Sequence, residues 1–168
     1  MKKLLLILLC FPMIGFGQMI FDVINHPKSK GLNFSIKEPV DFQRTDYSKN
    51  NDIVYTWMKG KEMMININIK EMPGFDYTKN ECIQMMQDEN ILENFADMVN
   101  AEKAEYIIID SYPGFKTQYY LGGYYNKSIS LFINDKMFTL SMLTGKESKL
   151  DIYKEDFLQM ANSLVFHK

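Results

Sequence analysis

The sequence predicts an α+β domain in which an antiparallel β-sheet is flanked by helices, forming an α/β/α sandwich. Three observations predict this class. Residues 63–70 alternate apolar and polar side chains, as a half-buried strand does. Four strand-like segments between residues 103 and 144 have connections too short for a parallel crossover, so they should pair antiparallel. A closing segment near 149–163 repeats apolar residues at helical spacing, and its stripe needs a sheet to pack against.

The chain begins with the pattern of a secretory signal peptide over residues 1–17. Two lysines precede a short apolar run, and Gly15-Phe16-Gly17 provides a small-x-small cleavage site, so Gln18 should be the first mature residue. Cys10 lies inside the apolar run, whereas a lipid-acceptor cysteine follows a small residue at its end. We therefore expect Cys10 to leave with the leader, and the protein to be exported and soluble, in the periplasm or outside the cell. Lipidation of Cys10 is the alternative.

Charge and cysteine content narrow the function further. Without the leader, 17 basic residues face 21 acidic ones, which argues against binding to nucleic acid. No segment is long and apolar enough for a membrane span, which needs about 20 residues. Cys82 is the one cysteine after the leader, so no intrachain disulfide can form. Its apolar helical neighbours predict a buried thiol; a reactive thiol or an interchain disulfide is the alternative.

The first half of the chain should contribute three strands. A polar entry over residues 18–30 leads to an alternating strand at 31–36, which Pro39 ends. Residues 53–59 (IVYTWMK) form the second strand. A tight Gly-Lys connection then leads to the third strand at 63–70.

Helix is predicted over residues 79–99, as one broken helix or two short ones. Thr78 and Glu81 have the capping-box spacing that satisfies free backbone donors at a helix start. Asn90 and Glu93 repeat that signal, so a second helical segment should begin there.

Four strands and a helix should complete the fold. The strands are predicted at 103–111, 114–125, 127–134 and 137–144, with turns at Pro113-Gly114, Asn126-Lys127 and Asn134-Asp135-Lys136. The apolar stripe of the closing helix consists of Tyr153, Phe157, Met160, Ala161 and Leu164. No repeat or linker interrupts residues 31–168, which we interpret as a single domain of order β-β-β-α-β-β-β-β-α.

Three segments carry a resemblance to a known fold. They are a strand ending in a proline turn (FSIKEP), an aromatic strand after Pro-Gly (YPGFKTQYYL) and a closing helix (FLQMANSLVF). Together with the element order they resemble the Mog1/PsbP-like family, whose closing helix follows the pattern F-x-x-I/M-x-x-S-h-x-F. That pattern is matched here by Phe157, Met160, Ser163, Leu164 and Phe166. The resemblance implies an antiparallel sheet between helices and a role in contacting other proteins, with chemistry supplied elsewhere.

The sequence contains no recognisable catalytic or metal-binding motif. His26 lies in the polar entry and His167 next to the C-terminal residue, so we expect both to be solvated and held by no framework. Hydrolase signatures are missing, the acidic pairs lack the spacing of a calcium loop, and the methionines lack the clustering of a copper site. We therefore predict no catalytic residues, no metal and no cofactor.

Aromatic residues are the remaining functional signal. One segment carries four tyrosines around Gly122-Gly123, a pair that indicates a bulge or a close approach of backbones. Alternation places Tyr119 and Tyr120 on opposite faces of the sheet, so one hydrophobic side cannot absorb every ring. The predicted partner-binding residues are Tyr120, Tyr124 and Tyr125.

The sequence thus favours a non-enzymatic exported binding or accessory domain of the cell envelope, acting through protein contacts. The partner is expected to be another envelope protein. The alternative is a small-ligand carrier, or an enzyme with an unrecognised site between the sheet and the helices.

Overall fold

The computed structural model describes residues 19–45, 52–73 and 79–168, without the side chains of residues 79, 80, 82 and 85. Ten strands are described: β1 (Ile20–Val23), β2 (Asn33–Lys37), β3 (Gln43–Thr45), β4 (Ile53–Lys59), β5 (Met63–Glu71), β6 (Ala101–Ile109), β7 (Tyr112–Leu121), β8 (Tyr124–Ile133), β9 (Lys136–Thr144) and β10 (Val165–His167). Four helices are described: α1 (Lys79–Met86), α2 (Glu89–Val99), α3 (Glu147–Ile152) and α4 (Lys154–Asn162). The predicted leader and the cap residue Thr78 lie outside this part of the chain.

The strands form two antiparallel sheets, which confirms the predicted α+β class. The larger sheet has the order β3-β4-β5-β9-β8-β7-β6, and the smaller has the order β1-β2-β10. Three short strands, β1, β3 and β10, were not predicted. They run for only three or four residues, too few for a period of two to be recognised. Strand β1 lies within the segment expected to be a polar entry, and it pairs with β2 over four residues.

The main core lies on one face of the large sheet, here called the inner face. Alternate residues of β5 point toward it, and Ile65, Ile67 and Ile69 are fully buried. The small sheet contributes Phe34, and the closing helices contribute Phe157 to the same core. The inner face is therefore covered by the small sheet together with α3 and α4.

The opposite, outer face carries a second and smaller core. Phe115 of β7 and Phe132 of β8 pack there against Phe95 of α2, with ring centroids 4.2 Å and 6.3 Å from that of Phe95. Two separate helices, α1 and α2, cover this face. The prediction for residues 79–99 allowed one broken helix or two short ones, and the structure has two. The cap of α2 is Asp88, whose side chain accepts a hydrogen bond from the Asn90 backbone, so α2 begins one residue before the predicted cap at Asn90.

The predicted closing helix is two helices that meet at Tyr153. Tyr153 ends α3 and begins α4, with φ −100° and ψ 9°, which interrupts a continuous helix. The predicted apolar stripe is nevertheless confirmed. All five of its members are buried: Tyr153, Phe157, Met160, Ala161 and Leu164.

Two of the three predicted turns in the second half were placed wrongly. The chain reverses at Asp110-Ser111, with φ of 48° and 66°, and at Gly122-Gly123, with φ of 62° and 86°. Paired positive φ values are those of the two-residue turn that best fits the twist of a hairpin. Pro113-Gly114 and Asn126-Lys127, the predicted turns, lie inside β7 and β8.

Gly114 has a different function from a turn glycine. A Cβ atom at this position would lie 2.2 Å from the backbone oxygen of Ser130 in β8. The glycine therefore permits a close approach of two strands, which is the other common reason for a glycine inside a sheet.

Candidate functional site

The hairpin formed by β7 and β8 brings the predicted tyrosines together. Its two-glycine turn sets a register in which Tyr120 lies opposite Tyr125 and Leu121 lies opposite Tyr124. Because side chains alternate along a strand, each opposed pair shares one face of the sheet. Tyr120 and Tyr125 therefore lie on the inner face, and Leu121 and Tyr124 on the outer face.

Tyr120 and Tyr125 form an aromatic pair in which Tyr125 is partly buried and Tyr120 is exposed. Their ring centroids are 4.7 Å apart at an interplanar angle of 52°. Tyr125 packs against the main core, whereas Tyr120 is 57% exposed. The Tyr120 ring is thus exposed to solvent while its contact with Tyr125 holds it in place.

Leu121 and Tyr124 extend the apolar surface around the end of the hairpin. Their side chains are 56% and 50% exposed. Together with Tyr120 they form what we call the aromatic tip: Tyr120, Leu121 and Tyr124. The structure thus places the three predicted tyrosines on one hairpin but on two faces of the sheet.

A groove of about 540 Å³ begins beside the aromatic tip on the inner face. We call it the hairpin groove. Tyr120 and Tyr125 form part of its wall, and Tyr124 does not contribute to it. The first residues of the closing helices, Glu147 and Lys154, line the side opposite the strands. The charged side chains around the groove are Glu102, Lys103, Glu105, Lys116, Lys127, Glu147 and Lys154.

Two of these lysines share one carboxylate. The Nζ atoms of Lys103 and Lys116 each lie 2.8 Å from an oxygen of Glu105. The hydrogen bonds from Lys103 and Lys116 lower the pKa of Glu105 to about 2, against a smaller opposing effect of burial. Glu105 therefore pairs with both lysines, and the three side chains together keep a net charge of +1.

Lys127 differs from the other lysines of the groove in its burial. It lies in the middle of the sheet, opposite Gln118 of β7 and Met142 of β9, and is only 7% exposed. Within the part of the chain that the structure describes, its ammonium group forms no ion pair. Burial, followed by repulsion from Lys154, lowers the pKa of Lys127. The groove thus holds a cation without a carboxylate of its own.

Comparison with known proteins shows which solved structures share this architecture. No protein-family model matches the chain, and no curated protein matches it either. The solution structure of cyanobacterial PsbP (CyanoP) from Synechocystis sp. PCC 6803 is similar, with a TM-score of 0.55 and 13% identity over 91% of this chain and 96% of that chain. The crystal structure of LpqN from Mycobacterium tuberculosis, a protein involved in cell envelope biogenesis, is similar with a TM-score of 0.54. The sequence identity is 9%, over 89% of this chain and 91% of that chain. The chain has the PsbP/Mog1-like fold.

In this PsbP/Mog1-like chain both histidines are held by neighbours, so the expectation that no framework positions them was wrong. The Nδ1 atom of His26 accepts a hydrogen bond from the Lys28 backbone at 3.2 Å, and its ring packs against Tyr55. His167 lies in β10, and its Nε2 atom is hydrogen-bonded to the hydroxyl of Ser35. Strand pairing between β10 and β2, which the sequence did not reveal, is what positions His167.

The Ser35 hydroxyl also contacts a carboxylate, with its Oγ atom 2.6 Å from the Oδ1 atom of Asp22. This set contains the residue types of a hydrolytic triad but not its order. In a triad the imidazole accepts the serine proton, and the carboxylate binds the other ring nitrogen. Here Asp22 is hydrogen-bonded to the Ser35 hydroxyl itself, and the carboxylate does not lie behind the imidazole as it does in a triad. The three side chains tie β1, β2 and β10 together.

The described residues of this fold show neither a membrane helix nor a metal cluster. Within residues 19–45, 52–73 and 79–168, no helix combines the length and apolarity needed to cross a membrane. The same stretches contain no group of three or more His, Cys, Asp and Glu side chains arranged to hold a metal ion. The side chain of Cys82 lies outside what the structure describes.

Sequence reasoning missed the charged half of the site. Lys127 was assigned to a turn, and Lys103, Glu105 and Lys116 were given no function. A signal for Lys127 was present in the chain. With the turn at Gly122-Gly123, a period of two places Lys127 on the same face as Ile129, Leu131 and Ile133, so a charged residue falls in an apolar row.

Proposed function

We propose that this chain is a non-enzymatic, exported binding domain of the cell envelope that acts through protein contacts at the aromatic tip. The observation that carries the proposal is the exposure of Tyr120, Leu121 and Tyr124, each at least half open to solvent beside the turn of one hairpin. Neighbouring exposed apolar side chains of this size are characteristic of interaction surfaces, and tyrosine is enriched at interface hot spots.

The leader-like segment at residues 1–17 supports the location. Support also comes from the similar fold of LpqN, which is described as involved in cell envelope biogenesis. The intact mass of the exported protein tests this part. We expect a chain that begins at Gln18, and a mass that includes Cys10 with acyl chains would contradict it.

The arrangement at Ser35 supports a role without catalysis. Its hydroxyl is hydrogen-bonded to Asp22, so the carboxylate contacts the serine instead of orienting the imidazole of His167 as an activated nucleophile requires. A partner-binding role requires no activated nucleophile, and the exposed surface lies on another part of the chain.

In vivo photo-crosslinking tests the aromatic tip. A photoreactive amino acid at position 121 should capture a specific envelope protein. The same amino acid at position 98 should not, because Met98 is an equally open apolar residue (65% exposed) on α2. Capture of the same protein at equal yield from both positions would contradict the proposal.

A variant pair sharpens the experiment. Tyr120→Ala with Tyr124→Ala should lower the crosslink yield at position 121 by about tenfold or more, since each hot-spot truncation costs about 2 kcal/mol or more. Tyr125 stays unchanged because it packs against the core. The control pair, Met98→Ala with Ile152→Ala, removes similarly exposed apolar side chains from helices and should keep the yield.

The volume of the hairpin groove favours a second candidate, a small-ligand carrier. About 540 Å³ falls within the range of roughly 300–1,000 Å³ that ligand pockets occupy. Native mass spectrometry of the protein purified from the envelope separates the two functions. A carrier retains a bound small molecule of constant mass, whereas a protein-binding domain gives the mass of the chain alone.

A further inference from the structure

The placement of Lys127 in the sheet points to an anionic partner group. Its neighbours two and four residues along the strand, Ile129 and Leu131, are 2% and 0% exposed and belong to the main core. A cation in such a row is costly to bury unless it is paired. Among the described residues no carboxylate forms an ion pair with it, and the attraction of Asp151 and Glu105 does not offset its burial and the repulsion from Lys154, because its pKa is still lowered. Lys127 is therefore a cation that an added anion would stabilise.

Lys127 differs from the other lysines of the hairpin groove, because it alone among them combines a buried position with the lack of an ion pair within the described residues. Lys103 and Lys116 are paired with Glu105 at 2.8 Å. Lys154 is the other cation of the lining that forms no ion pair within the described residues, and it is exposed. Lys127 and Lys154 repel each other, and this repulsion contributes to the lowered pKa of Lys127. An anion between them would relieve both the repulsion and the burial cost.

The chemistry of the groove favours a carboxylate over a phosphate. Its lining contains no arginine, and the one arginine of the chain, Arg44, is paired elsewhere with Glu38. Phosphate groups are held preferentially by arginine forks or by several backbone amides. The four lysines and three glutamates of the lining leave a net charge of +1, which matches the single charge of a carboxylate.

The location of the groove favours a carboxylate that belongs to a protein. The groove begins where the aromatic tip ends, and Tyr120 belongs to both surfaces. A protein segment that packs on Tyr120 is therefore also next to the groove.

We infer that the hairpin groove receives an acidic side chain of the protein partner, with Lys127 binding its carboxylate while the aromatic tip packs against a neighbouring apolar side chain. This inference rests on the proposed function and specifies the partner's chemistry. The partner presents an aspartate or glutamate next to an aromatic or aliphatic residue.

NMR of the lysine side chains in the mature chain tests the inference directly. The probes are the acetylated tripeptide amide tryptophan-glutamate-leucine, its twin with glutamine in place of glutamate, and inorganic phosphate. The glutamate peptide should shift the Nζ signal of Lys127 and raise its pKa. The affinity of the glutamine peptide should be at least about tenfold lower, which is the difference that the loss of one charged contact makes.

Two results from this titration would overturn the inference. One is equal binding of the glutamate and glutamine peptides, which would leave Lys127 without a function in recognition. The other is a response of Lys127 to phosphate at lower concentration than to the glutamate peptide, which would assign the groove to a free anion.

A variant separates this inference from the proposed function. Lys127→Met keeps the length and apolar body of the side chain and removes its charge, and it should weaken the glutamate peptide by about tenfold. Lys70→Met is the matched control, because Lys70 is an exposed lysine of β5 in the same sheet and lies outside the lining of the groove, and it should change affinity by less than about twofold. A Lys127→Met protein that binds the glutamate peptide as tightly as the unmodified chain would refute the inference, even where the tyrosine variants abolish crosslinking and the proposed function stands.

Discussion

Gly114→Ala should be among the most destabilising small substitutions in this chain. The added Cβ atom would lie 2.2 Å from the backbone oxygen of Ser130, 2.7 Å from Cδ2 of Leu131 and 3.0 Å from the carbonyl carbon of Ser130. The Leu131 methyl group can rotate away, but the carbonyl oxygen of Ser130 is part of the backbone. Strand β8 or β7 must therefore move by about 1 Å to restore an ordinary van der Waals distance.

The magnitude follows from what that movement disturbs. Ser130 lies in the interior of the sheet, opposite Phe115 on one side and Thr139 on the other. Overpacking a tight site typically costs 1–3 kcal/mol, and a weakened ladder hydrogen bond adds about 0.5–1.5 kcal/mol. The lower chain entropy of unfolded alanine returns about 0.4–1 kcal/mol. We expect a net loss of about 2 kcal/mol in the free energy of unfolding, within the range of about 0.5–4 kcal/mol that these contributions span.

Urea unfolding followed by tryptophan fluorescence measures this loss. Trp57 is the single tryptophan and is 1% exposed, so its emission should shift to the red when the core opens. Gly145→Ala is the matched control, because a Cβ atom there would meet nothing within 4 Å, and its φ lies outside the left-handed region. The control should stay within about 0.5 kcal/mol of the parent. A Gly114→Ala loss within the control's limit of about 0.5 kcal/mol would show that the two strands separate easily and that the reasoning is wrong.

Three further outcomes follow from the charged and thiol side chains. Glu105→Gln should lower the free energy of unfolding at pH 7 by at most about 1 kcal/mol, since the Glu105 side chain is 43% exposed. Because folding lowers the pKa of Glu105 to about 2, this difference between parent and variant should persist at pH values above the pKa of the unfolded state. It should vanish in acid unfolding curves as the pH falls toward 2. Lys127→Met should raise the free energy of unfolding at pH 7 by about 1 kcal/mol or more. Because the pKa of Lys127 is lowered, the parent should gain stability as the pH rises through the folded value toward the unfolded one, so the advantage of the variant should shrink in alkaline urea titrations. The charged groups that set this pKa are Lys154, Asp151, Lys116 and Glu105. Cys82 should react slowly with a thiol reagent in native buffer and rapidly in denaturant, and equal labelling in both would contradict a buried thiol.

Periodicity predicted the elements in which one face is buried along the whole length. Residues 53–59 match β4, and residues 63–70 match β5 to within one residue, because the strand-type residues of both segments are flanked by turn signals and every second residue of β5 from Met63 to Ile69 is buried. The stripe of the closing helices was identified for the same reason. The short strands β1, β3 and β10 depend on partners distant in the sequence, and no local pattern of three or four residues reveals such pairing.

The turns show why local residue chemistry alone misplaced part of the second half. Glycine serves two purposes in this sheet: Gly122-Gly123 supplies the positive φ values of a turn, whereas Gly114 makes room for a neighbouring strand. Residue type does not distinguish the two purposes. Asp110-Ser111 forms a turn without any glycine, and the nearby Pro113-Gly114 was the stronger signal in the sequence.

One misplaced turn accounts for the charged residue that was missed. With a turn at Asn126-Lys127, Lys127 is an ordinary exposed lysine and needs no explanation. With the turn at Gly122-Gly123, the same lysine becomes the member of an apolar row that ends at Ile133, and its burial disfavours its charged form. The sequence can supply that row once the turn is correctly placed, because the period of two is strict along β8. It cannot supply the opposite wall of the hairpin groove, since Glu147 and Lys154 reach it only after the closing helices pack on the inner face. A lysine in an apolar row marks a position worth testing, and the folded arrangement around it decides which ligand that position can take.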